Sequence, residues 1–419
     1  MAHDAHRLGA WRVAHRITAI NLLFLTPQLP FPPRQGTAIR NWGLIKHLSQ
    51  RHTITLLSFA EAGQSANIPE LQAACRRVIA IRAPRRSRID RLRTLASPRP
   101  DLARRMWSPE FDRALTDLLN QTSYDIAHTE GLEMAPYLSR IQTAPHPPRV
   151  IYDAHNAEYL IQHRAFITDL RQPARWPAAT YSWLQLPRLR RFEAATCRLA
   201  DAVTCVSVED AMVLKEFVPS LDPVILPNGI DVEAYTSYTS RITLHTSRLV
   251  FTGKMDYRPN IDAALWFAGD ILPRIRAARP EVQFFIVGQK PAPSLLKRHG
   301  TNGVTVTGTV EDVRPFIAEA AAYVAPLRMG GGTRFKLLEA MALARPIVST
   351  AIGAEGFAVR SGQELLLADA PADFADAVLA LLADPDRAQA LGRAGQAFVR
   401  QHYDWSVIIP KLEAVYRSL

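Results

Sequence analysis

The chain has 419 residues, 48% of them hydrophobic and 21% charged, with a formal net charge of +11. This is the composition of an ordinary soluble globular protein, long enough for two cores of typical domain size, so two domains are expected. Three cysteines, Cys75, Cys197 and Cys205, lack CxxC spacing, which argues against a structural zinc site or a disulfide framework and fits a reducing cytoplasm.

In chain order, ITAINLLFL at Ile17–Leu25 follows Arg12 and Arg16 in the manner of a secretory leader. It is too short to span a bilayer, and no small-x-small cleavage site follows it, so a first buried strand is expected. The proline-rich loop after it ends at Gly36 and Thr37, at the start of a helix, where both can close over a ligand from a second domain. Between Arg76 and Arg105 stand eleven arginines against Asp90 and Asp101. Such a block fits an anionic membrane surface or a nucleic acid, and equally a solvated face of helices and loops. No zinc-finger or aromatic RNA-binding signature accompanies it, and nucleic acid is not expected as a partner.

Short apolar runs alternate with helical segments throughout, the pattern of parallel sheets covered by helices on both faces. AINLLFLT, HTITLLSF, RRVIAIRA, YDIAHT, RVIYDAH and AVTCVS lie in the first half, and RLVFTG, VQFFIVG, VTVTGT, AAYVAP, RPIVST and ELLLA in the second. Two doubly wound α/β domains follow. The stretch Val224–Arg248 carries a proline, an Asn-Gly turn and an aperiodic polar run, and reads as the linker. The domains are expected at 1–227 and 228–403, with 404–419 as a final helix crossing back to the first domain.

Open α/β sheets bind ligands beyond the carboxyl ends of their strands, so the loops there hold the candidate residues. His128 and Glu130 close one strand, and His155 and Glu158 follow another. A lone histidine is more often a packed residue than a catalytic one, but two strand-end clusters favour a site. In FTGKMDYRPNIDAALWF, Lys254 and Arg258 arrive just before Asn260 and a helix. Two cations there suit a diphosphate, although a plain basic surface loop would look the same. In PLRMGGGTRFKLLEAM, residues Gly330, Gly331, Gly332 and Thr333 precede a helix. Their backbone N–H groups and the helix dipole can face an anion, with Arg334 and Lys336 adding charge. Glu339 can accept hydrogen bonds from sugar hydroxyls; the blander alternative is a tight turn with a Lys336–Glu339 pair at i, i+3.

Taken together, HNAEY (155–159), PNGID (227–231), FTGKMDYRPN, FFIVG (284–288), VTGTVEDV (306–313) and PLRMGGGTRFKLLEAMALARPIVST have a specific order and spacing. Over essentially the whole chain they resemble the retaining glycosyltransferases of the family 4-like group, and the GGGTR form looks like the branch acting in exopolysaccharide and other surface-glycan pathways. The resemblance implies the GT-B fold: two facing Rossmann-like doubly wound domains with the active site in the cleft between them. It also implies that Glu339 holds the nucleotide ribose and that Lys254 neutralises the diphosphate. The Gly330–Thr333 backbone would face the distal phosphate and sugar, and the turn at Thr309 and Val310 would meet the nucleobase. Two departures stand out. The family's first glutamate, eight positions before Glu339, is Gly331 here, and a usual Lys-Gly pair is replaced by Pro259 and Asn260, with Arg258 as the substitute cation.

The implied reaction transfers a sugar from a nucleoside-diphosphate sugar to a hydroxyl of a glycan or lipid-linked glycan, with the anomeric configuration retained. Lys254, Arg258, Arg334 and the glycine-loop amides would stabilise the leaving diphosphate in place of a divalent metal, so neither metal nor cofactor is expected. His128, Glu130 and His155 are candidates for positioning the donor sugar or the acceptor. The expected location is the cytoplasm, with peripheral contact at the inner face of the cell membrane through Arg76–Arg105. A nucleotide-sugar epimerase of the same fold and a non-catalytic nucleotide-sugar-binding protein are the alternatives.

Overall fold

The computed structural model describes residues 19–33, 36–61, 63–64, 68–85, 94, 97–170, 172–239, 245–329 and 334–419. Strands β1 (Asn21–Thr26), β2 (Thr53–Ala60), β3 (Arg77–Arg82), β4 (Ile126–Glu130), β5 (Arg149–Ala154), β6 (Ala202–Cys205) and β7 (Val224–Ile225) form one parallel sheet in the order β3-β2-β1-β4-β5-β6-β7. Strands β8 (His245–Thr252), β9 (Gln283–Val287), β10 (Val304–Gly308), β11 (Ala320–Ala325), β12 (Ile347–Ser349) and β13 (Leu366–Leu367) form a second, in the order β10-β9-β8-β11-β12-β13. In each sheet the order reverses at the first strand, with β1 between β2 and β4 and β8 between β9 and β11. Those are the switch points beyond which open α/β sheets take their ligands.

Both faces of each sheet are buried, which is why the strands read as continuous apolar runs rather than alternating ones. Along β1, Leu23 and Leu25 enter one core while Leu22 and Phe24 enter the other. Along β8, Leu249 and Phe251 face one core and Val250 the opposite one.

The chain crosses between the domains twice, and the two crossings pair. The Ile230 N–H donates to the Tyr403 carbonyl at 2.8 Å and the Trp405 N–H donates to the Ile230 carbonyl at 3.2 Å. The Trp405 indole packs against Gly43 and Gly229, where an added Cβ would stand only 2.0 and 2.5 Å from the ring. From there the helix Trp405–Ser418 buries Ile408, Leu412, Val415 and Tyr416 in the same core as Leu22, Phe24 and Leu44 of the N-terminal domain.

The stretch expected as an aperiodic linker contains a helix, Val232–Thr239, with Val232 fully packed and Tyr235 and Tyr238 against the C-terminal core. Tyrosines packing through their rings replaced the aliphatic stripe that sequence periodicity looks for. Among the described residues no helix is long and apolar enough to cross a membrane. Of the arginine block, Arg86, Arg88, Arg91 and Arg93 lie outside the described residues.

Candidate active site

At the carboxyl ends of β4 and β5 the N-terminal domain buries a network of charges. Arg40, from the helix Gly36–Leu48, straddles Asp153 with Nε and Nη2 donating to its two carboxylate oxygens at 2.8–3.0 Å. Its remaining nitrogen donates to the Pro227 carbonyl at 3.1 Å and to Asn228 Oδ1 at 3.3 Å, tying the network to the first domain crossing. Thr204 Oγ1 adds a third donor to Asp153 at 2.8 Å. His128 stacks on Phe24, with Nε2 3.0 Å from Glu130 Oε1 and Nδ1 2.9 Å from the Tyr416 hydroxyl. The other Glu130 oxygen holds His155 Nε2 through a short hydrogen bond. With its amide correctly oriented, Asn41 donates to that same oxygen at 2.8 Å and to the Thr37 carbonyl at 3.1 Å.

Burial opposes every charge in this network, and the partners decide the outcome. Asp153 and Glu130 push the His128 imidazole up to about 9 despite complete burial. Burial likewise disfavours Glu130 and Asp153, yet the histidines at Glu130, and Arg40 with the histidines at Asp153, hold both carboxyls below their usual range. His155 is raised because the Glu130 bond outweighs its burial. Beside the network, burial and the neighbouring Glu133 and Glu193 push Glu158 up to about 8. Glu193 accepts from the backbone N–H groups of Glu158 and Tyr159 and so caps the helix Glu158–Leu170.

Among the described residues, one set of side chains has the composition of a metal site: His128, Glu130 and Asp153, with ligand atoms within 4.8 Å of one another. The Arg40 guanidinium already occupies both Asp153 oxygens, and the two carboxylates balance Arg40 and a protonated His128. A divalent ion does not fit that charge balance, and the cluster is an ion-pair network.

In the C-terminal domain, the end of β8 and the first turns of two helices, Arg258–Trp266 and Phe335–Ala342, converge. Gly253 permits this closeness, since an added Cβ would lie 2.7 Å from Asn260 Nδ2 and 3.0 Å from Lys336 Nζ. Asn260 donates to the Lys254 carbonyl at 2.9 Å and accepts from Lys336 Nζ at 2.7 Å, fixing the backbone of one loop to the cation of the other. Lys336 also lies 4.2 Å over the Phe251 ring, and burial with nearby Arg334 lowers its ammonium to about 7. One turn on, Glu339 Oε1 accepts from the Tyr235 hydroxyl at 3.1 Å, while burial raises the carboxyl to about 7. In place of the Lys336–Glu339 pair that was the blander alternative, Lys336 takes Asn260 and Glu339 takes Tyr235. Beyond β10, Val310 packs against the C-terminal core near Tyr235 and Tyr238, and Thr309 is exposed. Arg314 stacks over Tyr238 at 4.4 Å and is clamped by Asp312.

Lys254 is exposed, 3.7 Å from Asp256. Arg258, expected to face a diphosphate, donates instead to Asp169 of the N-terminal domain at 2.6 Å. Arg164 and Glu355 make a second, bidentate bridge between the domains at 2.8 Å. Gly36 reaches across as well, an added Cβ standing 3.2 Å from the Phe335 ring. The structure therefore brings Gly36 to the start of the helix that carries Lys336 and Glu339, with Thr37 tied through Asn41 to Glu130 and His155. Gly330, Gly331, Gly332 and Thr333 lie outside the described residues.

Arg40, Asp153, Tyr235 and Tyr416 carry this site without having been singled out in the sequence. Arg40 lies in the helix after β1 and Asp153 one residue before the end of β5, both near the strand ends already under suspicion. A pairing across 113 residues leaves no local trace.

Two family profiles match the chain: Glycosyltransferase Family 4 over residues 34–234, and Glycosyl transferases group 1 over 246–384. A phosphatidyl-myo-inositol mannosyltransferase of Mycobacterium tuberculosis is 30% identical over 211 residues, 47% of this chain and 54% of the relative. A GDP-mannose-dependent monoacylated alpha-(1-6)-phosphatidylinositol monomannoside mannosyltransferase of Corynebacterium glutamicum is 27% identical over 215 residues, 46% of this chain and 55% of the relative. The chain matches these curated relatives over about half of their length. Among solved structures, Anabaena HepE in complex with UDP aligns with TM-score 0.65 at 13% identity over 96% of this chain and 100% of that one. Sucrose-phosphate synthase of Thermosynechococcus elongatus aligns with TM-score 0.69 at 18% identity over 95% and 98%.

Proposed function

Because the chain belongs to the family 4-like glycosyltransferases of the GT-B fold, we propose that it moves a sugar from a nucleoside-diphosphate sugar to a hydroxyl of a glycan or lipid-linked glycan, with retention of configuration. The observation that carries this reading is the meeting at Phe335. There the helix bearing Lys336 and Glu339 touches Gly36 of the opposite domain, whose helix also bears Arg40. UDP in the HepE structure and the GDP-mannose dependence named for the Corynebacterium relative support a nucleoside-diphosphate donor. The phosphatidylinositol substrates named for the relatives support a lipid-linked acceptor; with such an acceptor, the reading extends to surface polysaccharide or glycoconjugate synthesis at the inner face of the cell membrane.

In this reading Glu339 takes the ribose hydroxyls, and Lys254, Lys336, Arg334 and the amides of Gly330–Thr333 surround the diphosphate. As the glycosidic bond to the diphosphate breaks, charge builds on the leaving oxygen, and these cations and dipoles stabilise it without a metal ion. The same oxygen then accepts the acceptor hydroxyl's proton on the face it has left. Glu130 fixes His155 through Nε2. The Nδ1 of His155 is left for a hydroxyl of the donor sugar or acceptor, with His128 and Asn41 holding the Glu130 carboxylate in place.

The test is release of nucleoside diphosphate from GDP- and UDP-sugars with and without glycan and lipid-linked acceptors. Acceptor-dependent release, unaffected by excess chelator and reduced by about 10²-fold or more in Lys336→Ala, is expected. Conversion of the nucleotide sugar without any acceptor would favour an epimerase, and tight binding without turnover across the panel would favour a non-catalytic role.

A further inference from the structure

The long helix Trp176–Leu199 of the N-terminal domain presents a basic and aromatic surface. It carries four arginines and a single carboxylate, Glu193, which is fully buried as the cap described above. Trp176, Trp183 and Arg190 recur every seven residues, two turns of helix, and so share one face. Both indoles are more than half exposed, at 58% and 60%, and exposed Leu170 stands beside Trp176, its carbonyl accepting from the Trp176 indole N–H at 3.3 Å. Toward its carboxyl end the same face borders a groove of about 500 Å³ between Tyr159, Pro187, Arg190, Arg191, Arg198 and Phe217. Arg190 lies 5.0 Å over the Phe217 ring and 3.6 Å from the largely exposed Glu216, among the described residues the one acid paired with Arg190 or Arg191. Arg191 has no ion partner among the described residues. Tyr159, at one wall, is the last residue of the strand-end segment that begins at His155.

From this arrangement we propose that the Trp176–Trp183–Arg190 face is the docking surface for an anionic lipid bilayer, with the groove receiving a lipid phosphate. Indoles on an exposed helix face have the amphipathic form that settles at the headgroup level, and arginines in excess over nearby carboxylates attract the negative surface of such a membrane. A protein partner would need acids to match this face as well as apolar cover for two tryptophans; a bilayer of anionic lipid supplies both at once. The surface lies on the helices that flank His155 and Tyr159, so docking would hold the N-terminal side of the cleft toward the membrane. That last consequence rests on the proposed lipid-linked acceptor, whereas the docking itself does not.

The test is flotation of the full chain with vesicles of phosphatidylcholine alone and of phosphatidylcholine with phosphatidylglycerol, in the absence of any donor or acceptor. Binding is expected only to the anionic vesicles, weakened several-fold by 0.5 M salt on the order expected from the short Debye length. Trp176→Ser with Trp183→Ser, and separately Arg190→Gln with Arg191→Gln, should each reduce partitioning by about tenfold or more with unchanged melting temperatures. Wild-type binding retained in both double variants would place the docking surface elsewhere and overturn the proposal, as would indifference of the wild type to anionic lipid. A wild-type dimer in sedimentation that the tryptophan variants abolish would overturn it in favour of a second copy of this chain. Nucleoside-diphosphate binding by the same variants should be that of the wild type, so a failure of docking is distinct from a failure of the transferase reading.

Discussion

Arg258 of the C-terminal domain donates to Asp169 of the N-terminal domain across 2.6 Å, and with the Arg164–Glu355 bridge it pins the two halves together on one side of the cleft. Arg258 was expected at the diphosphate; were it to serve there, Asp169 and the donor would compete for it. Arg258 is partly exposed while Asp169 is buried, but an asparagine there keeps a neutral acceptor for the guanidinium, so the change costs about 0–1 kcal/mol of stability. Asp169→Asn should therefore leave the melting temperature nearly unchanged while tightening nucleoside-diphosphate binding several-fold, and Arg258→Ala should weaken it. Calorimetric titration of both variants checks this; equal affinities in all three proteins would remove Arg258 from the donor site.

Gly36 opens a helix and faces the Phe335 ring. Alanine at an exposed helical position adds about 0.5–1 kcal/mol over glycine, so Gly36→Ala should fold at least as well as the wild type. Its Cβ, 3.2 Å from the ring, presses on the first turn that carries Lys336 and Glu339. Turnover should fall while thermal stability does not. A variant with full activity would show that this contact does not shape the site.

Asp153 holds Arg40 in a fully buried pair. Replacing it by asparagine leaves an uncompensated guanidinium in the interior, which costs about 3–5 kcal/mol. Urea unfolding of Asp153→Asn should show a loss of that order. A loss under about 1 kcal/mol would mean that Arg40 finds water on relaxation.

The same network fixes a pH dependence. His128 is raised in the fold from 6.5 to about 9, so its contribution to stability is complete below pH 6.5 and is lost as pH rises through 9. Asp153 is held below its usual 3.8, so its contribution is present above that pH and is lost as the medium turns acid. Stability of the N-terminal domain should thus decline between pH 6.5 and 9 by on the order of 3 kcal/mol, and His128→Asn should flatten that decline. An unchanged alkaline slope in the variant would assign the loss to other groups.

The strands, their division into two parallel sheets and the strand-end positions of His128, Glu130 and His155 were legible because doubly buried strands are continuous apolar runs bounded by loops. Glu339 and Lys336 were legible as a helix turn after glycines, but their partners were not. Local spacing offered each to the other, whereas tertiary packing gave Lys336 to Asn260 and Glu339 to Tyr235, 76 and 104 residues away. Tyr235 was hidden further inside a stretch whose serines and threonines read as linker. Tyr416, reaching His128 from 288 residues on, belongs to a helix whose apolar spacing was visible and whose hydroxyl contact was not.

The most direct measurement is the thermal shift of the full chain with nucleoside diphosphates, compared with Lys336→Ala and Glu339→Gln. The wild type should be stabilised by at least one of GDP and UDP, by about 2.7 kcal/mol at a hundredfold excess over Kd, and both variants should lose most of that shift. A diphosphate that stabilises the two variants as fully as the wild type, or no stabilisation by any nucleoside diphosphate, would contradict a donor site built on this helix.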